Sequence, residues 1–245
     1  MSSQRSLNIM VTSGGTRVHI DDVRVITNLS GGTTGARIAE CALESGHHVD
    51  YVHTAGATKL PFEEKLRLDV GADPEKELAR VQQDLHRIRN LYRRLSLRPV
   101  DDFNAYNRLV GELLQTQVFD AVFMAMAASD YGPRREGGKI RSDANELNIR
   151  CEKLPKVVDS VKKIREHMLL VGFKLLSEEA GQAALLERAH SIIEKGAQDM
   201  VVANLVDNRF RPTLTSIVSK SGVIPVDRRE MLAPMLIEQL EDALT

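Results

Sequence analysis

Three loop stretches hold residue types that can do chemistry on a phosphorylated ligand. Ser13-Gly14-Gly15-Thr16-Arg17 and Asn28-Leu29-Ser30-Gly31-Gly32-Thr33-Thr34-Gly35 are both rich in glycine. Glycine lets a backbone approach a ligand closely, and free amides at a helix N-terminus hold phosphate. One phosphate-sized anion fits between two such loops, although glycine loops serve equally as plain turns. The third stretch, Ala127-Ala128-Ser129-Asp130-Tyr131, leads into Gly138-Lys139-Ile140-Arg141-Ser142 and Lys153-Leu154-Pro155-Lys156. One carboxylate followed by several cations suits a triphosphate with its metal. Taken singly, each lysine reads as a solvated surface residue.

The spacing excludes familiar alternatives. Neither loop contains G-x-G-x-x-G, and Gly137-Gly138-Lys139-Ile140 does not complete a P-loop. None of Tyr51, Tyr92, Tyr106 and Tyr131 has a lysine four residues on, which disfavours a short-chain dehydrogenase. His47, His48 and His53 lie around one expected strand, where neighbours point to opposite faces, so they are assigned no metal.

The elements that must position these loops alternate. Apolar runs of strand length occur at Ile9–Thr12, Val49–His53, Asp120–Met126, Leu169–Leu176 and Met200–Ala203. Helical spacing falls at Thr33–Ser45, closed by Gly46, and at about 156–166 and 178–195. The alternation predicts an α/β fold: a Rossmann-like parallel-sheet sandwich with flanking helices. Thr215–Ser219 and Val223–Val226 flank Ser221-Gly222 and predict a small C-terminal hairpin, followed by a helix over about 228–243 with Pro234 near its first turn. Residues 58–118 interrupt the pattern and read as a helical insertion. Asp73-Pro74-Glu75 is a helix start, and Leu78, Val81, Leu85, Ile88, Leu91 and Leu95 form one apolar stripe. A second helix is expected from Asp101 to about Thr116. Arg80, Arg87, Arg89, Arg93 and Arg94 lie off the stripe, as a solvated face or as a surface for an anion or partner.

The chain has 245 residues, a net charge of −1 and 42% hydrophobic residues, which suits one core-forming domain and argues against bulk binding of nucleic acid. No apolar run reaches the roughly 20 residues of a membrane span, and no secretory signal is visible. Cys41 and Cys151 are too few for a disulfide framework or a thiolate zinc site, as expected of a reducing cytosol.

VTSGGTR, IDDVRVITNLSGGTTG, MAASDY, GKIRS, Pro155-Lys156, VGFKLL and DMVVAN, in this order, closely resemble the motifs of the phosphopantothenoylcysteine synthetase family in its stand-alone form, over about residues 7–57 and 119–245. The resemblance implies a cytoplasmic, homodimeric ligase of coenzyme A biosynthesis. It would use CTP or ATP with Mg²⁺ to activate the carboxylate of 4′-phosphopantothenate and join it to L-cysteine, with no nucleic-acid or membrane partner. By the same resemblance Asn28 and Lys139 are catalytic; Gly15, Ser30, Gly32, Gly35, Ala127 and Ala128 bind substrate; and Met124, Ala125, Met126, Asp130, Lys139, Pro155, Lys156, Val157, Val158, Phe173 and Lys195 bind nucleotide. Three positions depart from the family pattern. Gly31 replaces a serine, Arg141 replaces the second lysine of the strap, and Ser191 stands where a phosphate lysine is common. Arg134 or Arg188 could then supply the missing charge.

Overall fold

The computed structural model of the chain describes residues 5–143, 145–164, 166–209 and 211–244. Its frame is an eight-stranded sheet built from β1 (Asn8–Ser13), β4 (His48–Thr54), β5 (Leu95–Val100), β6 (Ala121–Met124), β9 (Leu169–Ser177), β10 (Met200–Val206), β11 (Pro212–Ser219) and β12 (Gly222–Pro225). The spatial order is β12-β11-β10-β9-β6-β1-β4-β5, with the six strands from β5 to β10 parallel and the last two antiparallel. The strands of the parallel part are short apolar runs because both of their faces are covered.

Alternation along β1 and β6 separates two layers. Ile9, Val11 and Phe123 face α1 (Thr33–Glu44) and α7 (Leu232–Leu244), whereas Met10, Val122 and Met124 face α4 (Phe103–Thr116) and α5 (Val157–Ile164). Helix α6 (Gly181–Glu194) covers β10 and β11 on the latter side through Leu185, Ala189 and Ile193. Two minor hairpins, β2 (Arg17–His19) with β3 (Val25–Thr27) and β7 (Tyr131–Pro133) with β8 (Cys151–Lys153), rise from the carboxyl ends of β1 and β6. From β1 the chain crosses to β4 and β5 on one side, and the later parallel strands add on the other. A crevice therefore opens between β1 and β6, where open α/β sheets take ligands. The C-terminal hairpin and helix form as expected, with Pro234 in the first turn of α7.

The 58–118 segment corrects the expectation of a purely helical insertion. After α2 (Glu63–Leu66) and α3 (Pro74–Leu91) it supplies β5, the edge strand beside β4. Leu95 and Pro99 thus belong to a strand rather than to a helical stripe and its break. Proline is tolerated there because an edge strand leaves one row of amides unpaired. The apparent interruption is two further crossovers of the parallel sheet. The α3 stripe also differs from expectation: Ile88 is buried, but Leu78 and Leu85 are exposed. Only the end of α3 rests on the body, while Arg80 ties its start to the carbonyls of Lys65 and Arg67 at 2.8 and 2.9 Å.

Candidate active site

Short side chains let β1, α1 and β6 approach one another at the crevice. Ser13 Oγ donates to the Gly32 carbonyl at 3.0 Å. A Cβ on Gly35 would lie 2.4 Å from that same oxygen, so the first turn of α1 can seat on β1 only if residue 35 is glycine. Gly32, the residue before α1, has φ of 77° and provides no side-chain cap. The first-turn amides of Thr33, Thr34 and Gly35 are therefore left for a ligand, at the end of the helix where partial positive charge gathers.

Asn28 is fixed beside this turn. Gly15 bridges to Ala127, and a Cβ on Gly15 would stand 2.3 Å from the Asn28 carbonyl. Asn28 Nδ2 donates to the Ala127 carbonyl at 3.0 Å, which carries the amide across from β3 to the end of β6. Nδ2 carries a second hydrogen that the Ala127 carbonyl does not use, so the amide can still donate to a substrate. The Thr16 and Ser129 hydroxyls, 3.1 Å apart, join the same two loops beneath it. A cleft of about 360 Å³ opens here. Ser30, Gly32, Gly35, Met124–Ala127 and Phe173 line it, with Asn204, Thr215 and Arg229 on the far wall.

The strap bearing Lys139 is held elsewhere. Asp21, fully buried, accepts from the backbone amides of Val23, Arg24 and Ile140 at 2.8–3.0 Å, and Asp22 accepts from Gly138 N at 3.0 Å. Burial alone would raise the Asp21 pKa. The Val23, Ile140 and Arg24 amides and the Arg24 charge outweigh it and hold the carboxyl below its ordinary 3.8. A depressed folded-state pKa means a contribution present above 3.8 and lost as pH falls through the folded value. The gap in Tm between the unmodified chain and Asp21→Asn should therefore be several degrees at neutral pH and narrow steadily below pH 3.8. A gap independent of pH would show that the carboxylate charge does not hold the strap.

The family model described as "DNA/pantothenate metabolism flavoprotein C-terminal domain" matches residues 4–83 and 105–242. The chain belongs to that family. A bifunctional coenzyme A biosynthesis protein, CoaBC, of Thermococcus kodakarensis is 28% identical over 199 residues, covering 80% of this chain and 40% of that protein. The chain thus spans well under half the length of that relative. Phosphopantothenate–cysteine ligase 2 of Oryza sativa is 28% identical over 259 residues, covering 96% and 78%. The DNA/pantothenate metabolism flavoprotein structure of Streptococcus pneumoniae superposes with a TM-score of 0.75 at 24% identity, covering 97% of this chain and all of that one. A Cab2 histidine-to-alanine mutant in complex with phosphopantothenate-cysteine gives 0.76 at 21%, covering 97% and 87%. Both share the fold.

Within this family member, the site residues expected from sequence separate into groups. Ser30, Gly32, Gly35, Ala127, Met124, Ala125, Met126 and Phe173 meet at the cleft. Gly15 serves as the seat of Asn28, and Ala128 turns back to Met126 against the core without lining the cleft. Asp130, Pro155 and Lys156 flank the β7–β8 hairpin, whereas Val157 is buried in the core under α5 with Val158 packed beside it. Lys139 lies on the strap held by the Asp21–Asp22 turn, at the tip of the β2–β3 hairpin, whereas Asn28 lies at the base of that hairpin.

Lys195 does not line this cleft. Helix α6 runs antiparallel to the strands, so Lys195 and Ser191 near its end lie at the sheet edge opposite the cleft. Arg134, considered as a replacement, pairs with Glu152 at 3.1 Å in a separate groove. Among the described residues lining the cleft, Arg229 is the cation. Sequence reasoning missed it because it lies in a short turn before α7, outside any motif. Asn204 was also missed, although its place as the polar end of the apolar run VVAN could have marked it; its Oδ1 accepts from Thr215 at 2.9 Å.

Proposed function

We propose that the chain is a phosphopantothenate–cysteine ligase working in one α/β domain. One observation carries the reading: the uncapped first turn of α1 lines a cleft at the β1–β6 crevice, and Asn28 donates to Ala127, which lines the same cleft. The α1 amides and Arg229 suit the phosphate of 4′-phosphopantothenate, and Phe173 with Met124–Ala127 suits its apolar arm. Asn28, neutral and already donating to Ala127, can hold the substrate carboxylate without locking it in a salt bridge. That carboxylate attacks the α-phosphorus of CTP or ATP; the bond to the β-phosphate breaks and pyrophosphate leaves. The cysteine amine then attacks the acyl carbon, loses its proton, and expels the nucleoside monophosphate. A carbonyl oxygen gaining charge in the second step is what an Asn28 amide proton stabilises.

Lys139, perched along the hairpin, suits the outer phosphates better than the acyl centre. Among the described residues no three His, Cys, Asp or Glu side chains gather as metal ligands. A Mg²⁺ brought in with the triphosphate would keep its phosphate ligands and take one or two carboxylates, and Asp130 is the carboxylate that the ASDY motif offers. The active form is read as a cytoplasmic homodimer. No helix of the described residues is long and apolar enough to cross a membrane.

The test is release of pyrophosphate on mixing the protein with 4′-phosphopantothenate, L-cysteine, Mg²⁺ and CTP or ATP. Folded protein that releases none with either nucleotide overturns the reading. A second reading, the same chemistry on another phosphorylated carboxylate, is favoured by Gly31 and by a cleft wall bearing Arg229 and, among described residues, no lysine. A screen of acids and amines separates the two.

A further inference from the structure

The outward side of α3 belongs neither to the core nor to the cleft. Glu75, Leu78, Gln82, Leu85 and Arg89 recur at steps of three and four, so they form one stripe along the helix, and all five are exposed. The leucines are 62% and 53% exposed and lie two turns apart on one helix. The arm is nonetheless firmly built. Asp73 caps its first turn by accepting from Lys76 N at 3.0 Å. Arg80 binds Glu77 and Asp84 at 2.6–3.0 Å as well as the two carbonyls named above. A rigid helix holding an apolar stripe in water is prepared for a partner.

The stripe is also self-complementary. Read from its middle, Gln82, the order is leucine then acid in one direction and leucine then base in the other. Two copies laid antiparallel across a twofold axis at Gln82 bring Leu78 of one against Leu85 of the other, and Glu75 against Arg89, each contact occurring twice. A twofold interface demands this kind of reciprocity, in which residue i meets j and j meets i. A parallel arrangement would instead set Glu75 on Glu75 and Arg89 on Arg89. The family model leaves residues 84–104 unmatched, and Leu85 and Arg89 lie in that stretch.

We propose that α3 is a pairing helix for a second copy of this chain, antiparallel, with its axis at Gln82. The proposal does not depend on the ligase reading. It is tested on the full-length protein by sedimentation equilibrium over a concentration series. Glu75→Arg and Arg89→Glu each set like charges opposite one another at two symmetry-related places and should weaken one association step about tenfold, an effect that salt screens. The double variant Glu75→Arg/Arg89→Glu restores both pairs across the axis and should recover the parental constant. It keeps both unfavourable charges at the ends of α3, so recovery cannot come from a more stable helix. Independently, Gln82→Cys should form a disulfide-linked dimer under mild oxidation, because the axis brings that position against itself. A Cys151→Ser background removes the exposed native thiol, while Cys41 is half-buried with its thiol pushed up to about 11 by burial. Circular dichroism establishes that the variants are folded, and all substituted positions on α3 are exposed. Association unchanged by both single variants, a double variant as weak as the singles, or no cross-link at position 82 overturns the proposal; the first result would reassign the stripe to a different partner.

Discussion

Replacing Asn28 by alanine should lower turnover about 10²–10³-fold while leaving the protein folded. The size follows from the role: a fixed donor aimed at developing charge is worth about that factor when removed. The fold is spared because Asn28 is exposed and its side chain makes one hydrogen bond, to Ala127, whose loss costs about 1 kcal/mol. Asn28→Asp should be at least as damaging, since a carboxylate would face the Ala127 carbonyl and repel the substrate carboxylate. Steady-state kinetics with saturating nucleotide, beside a thermal melt, make the comparison. Turnover in Asn28→Ala within about threefold of the parent would remove Asn28 from the chemistry, whatever the overall reaction proves to be.

Gly32→Ala should destabilise the chain by about 3 kcal/mol and weaken capture of the phosphorylated substrate. Two costs combine. A left-handed conformation costs an alanine roughly 1–2 kcal/mol, and crowding a packed site adds roughly 1–3. The crowding is concrete: the new Cβ would stand 2.3 Å from Thr58 Cγ2 and 2.8 Å from Ser13 Oγ. Relief requires moving the start of α1, and with it the amides offered to the anion. Gly31→Ala is the control, because nothing lies within 4 Å of its Cβ and its φ is not positive. At about 2–4 °C per kcal/mol for a chain of this size, the Gly32 variant should melt roughly 6–12 °C lower, while the Gly31 variant stays near the parent. Equal melting of the two would show that the loop is not the tight fitting described.

Much of this arrangement was legible because its signals are local. The strands β1, β4, β6, β9 and β10 are short apolar runs, and the glycines at 32 and 35 mark where α1 must meet β1. Strand β5 was not legible: Leu95 extends the spacing of α3, and Pro99 looks like a helix breaker, so only pairing with β4 reveals a strand. The α3 stripe shows the converse limit. Periodicity reports that a helix has an apolar side, but not whether the partner comes from its own chain. Lys195 marks a third limit. A motif names a residue, whereas helix direction decides which edge of the sheet the residue reaches. Arg229 became visible only through the fold, since it belongs to no motif and reaches the cleft once α7 has packed against α1.

The cleft is assembled from stretches far apart in sequence, with Ser30–Gly35 on one wall and Asn204, Thr215 and Arg229 on the other. During synthesis the early loops leave the ribosome long before their opposite wall has been made. The pocket therefore closes only when stretches far apart in sequence have folded together, and saturating ligand holds the α1 loop against the β10–β11 wall by the mass-action term that any native-state ligand supplies.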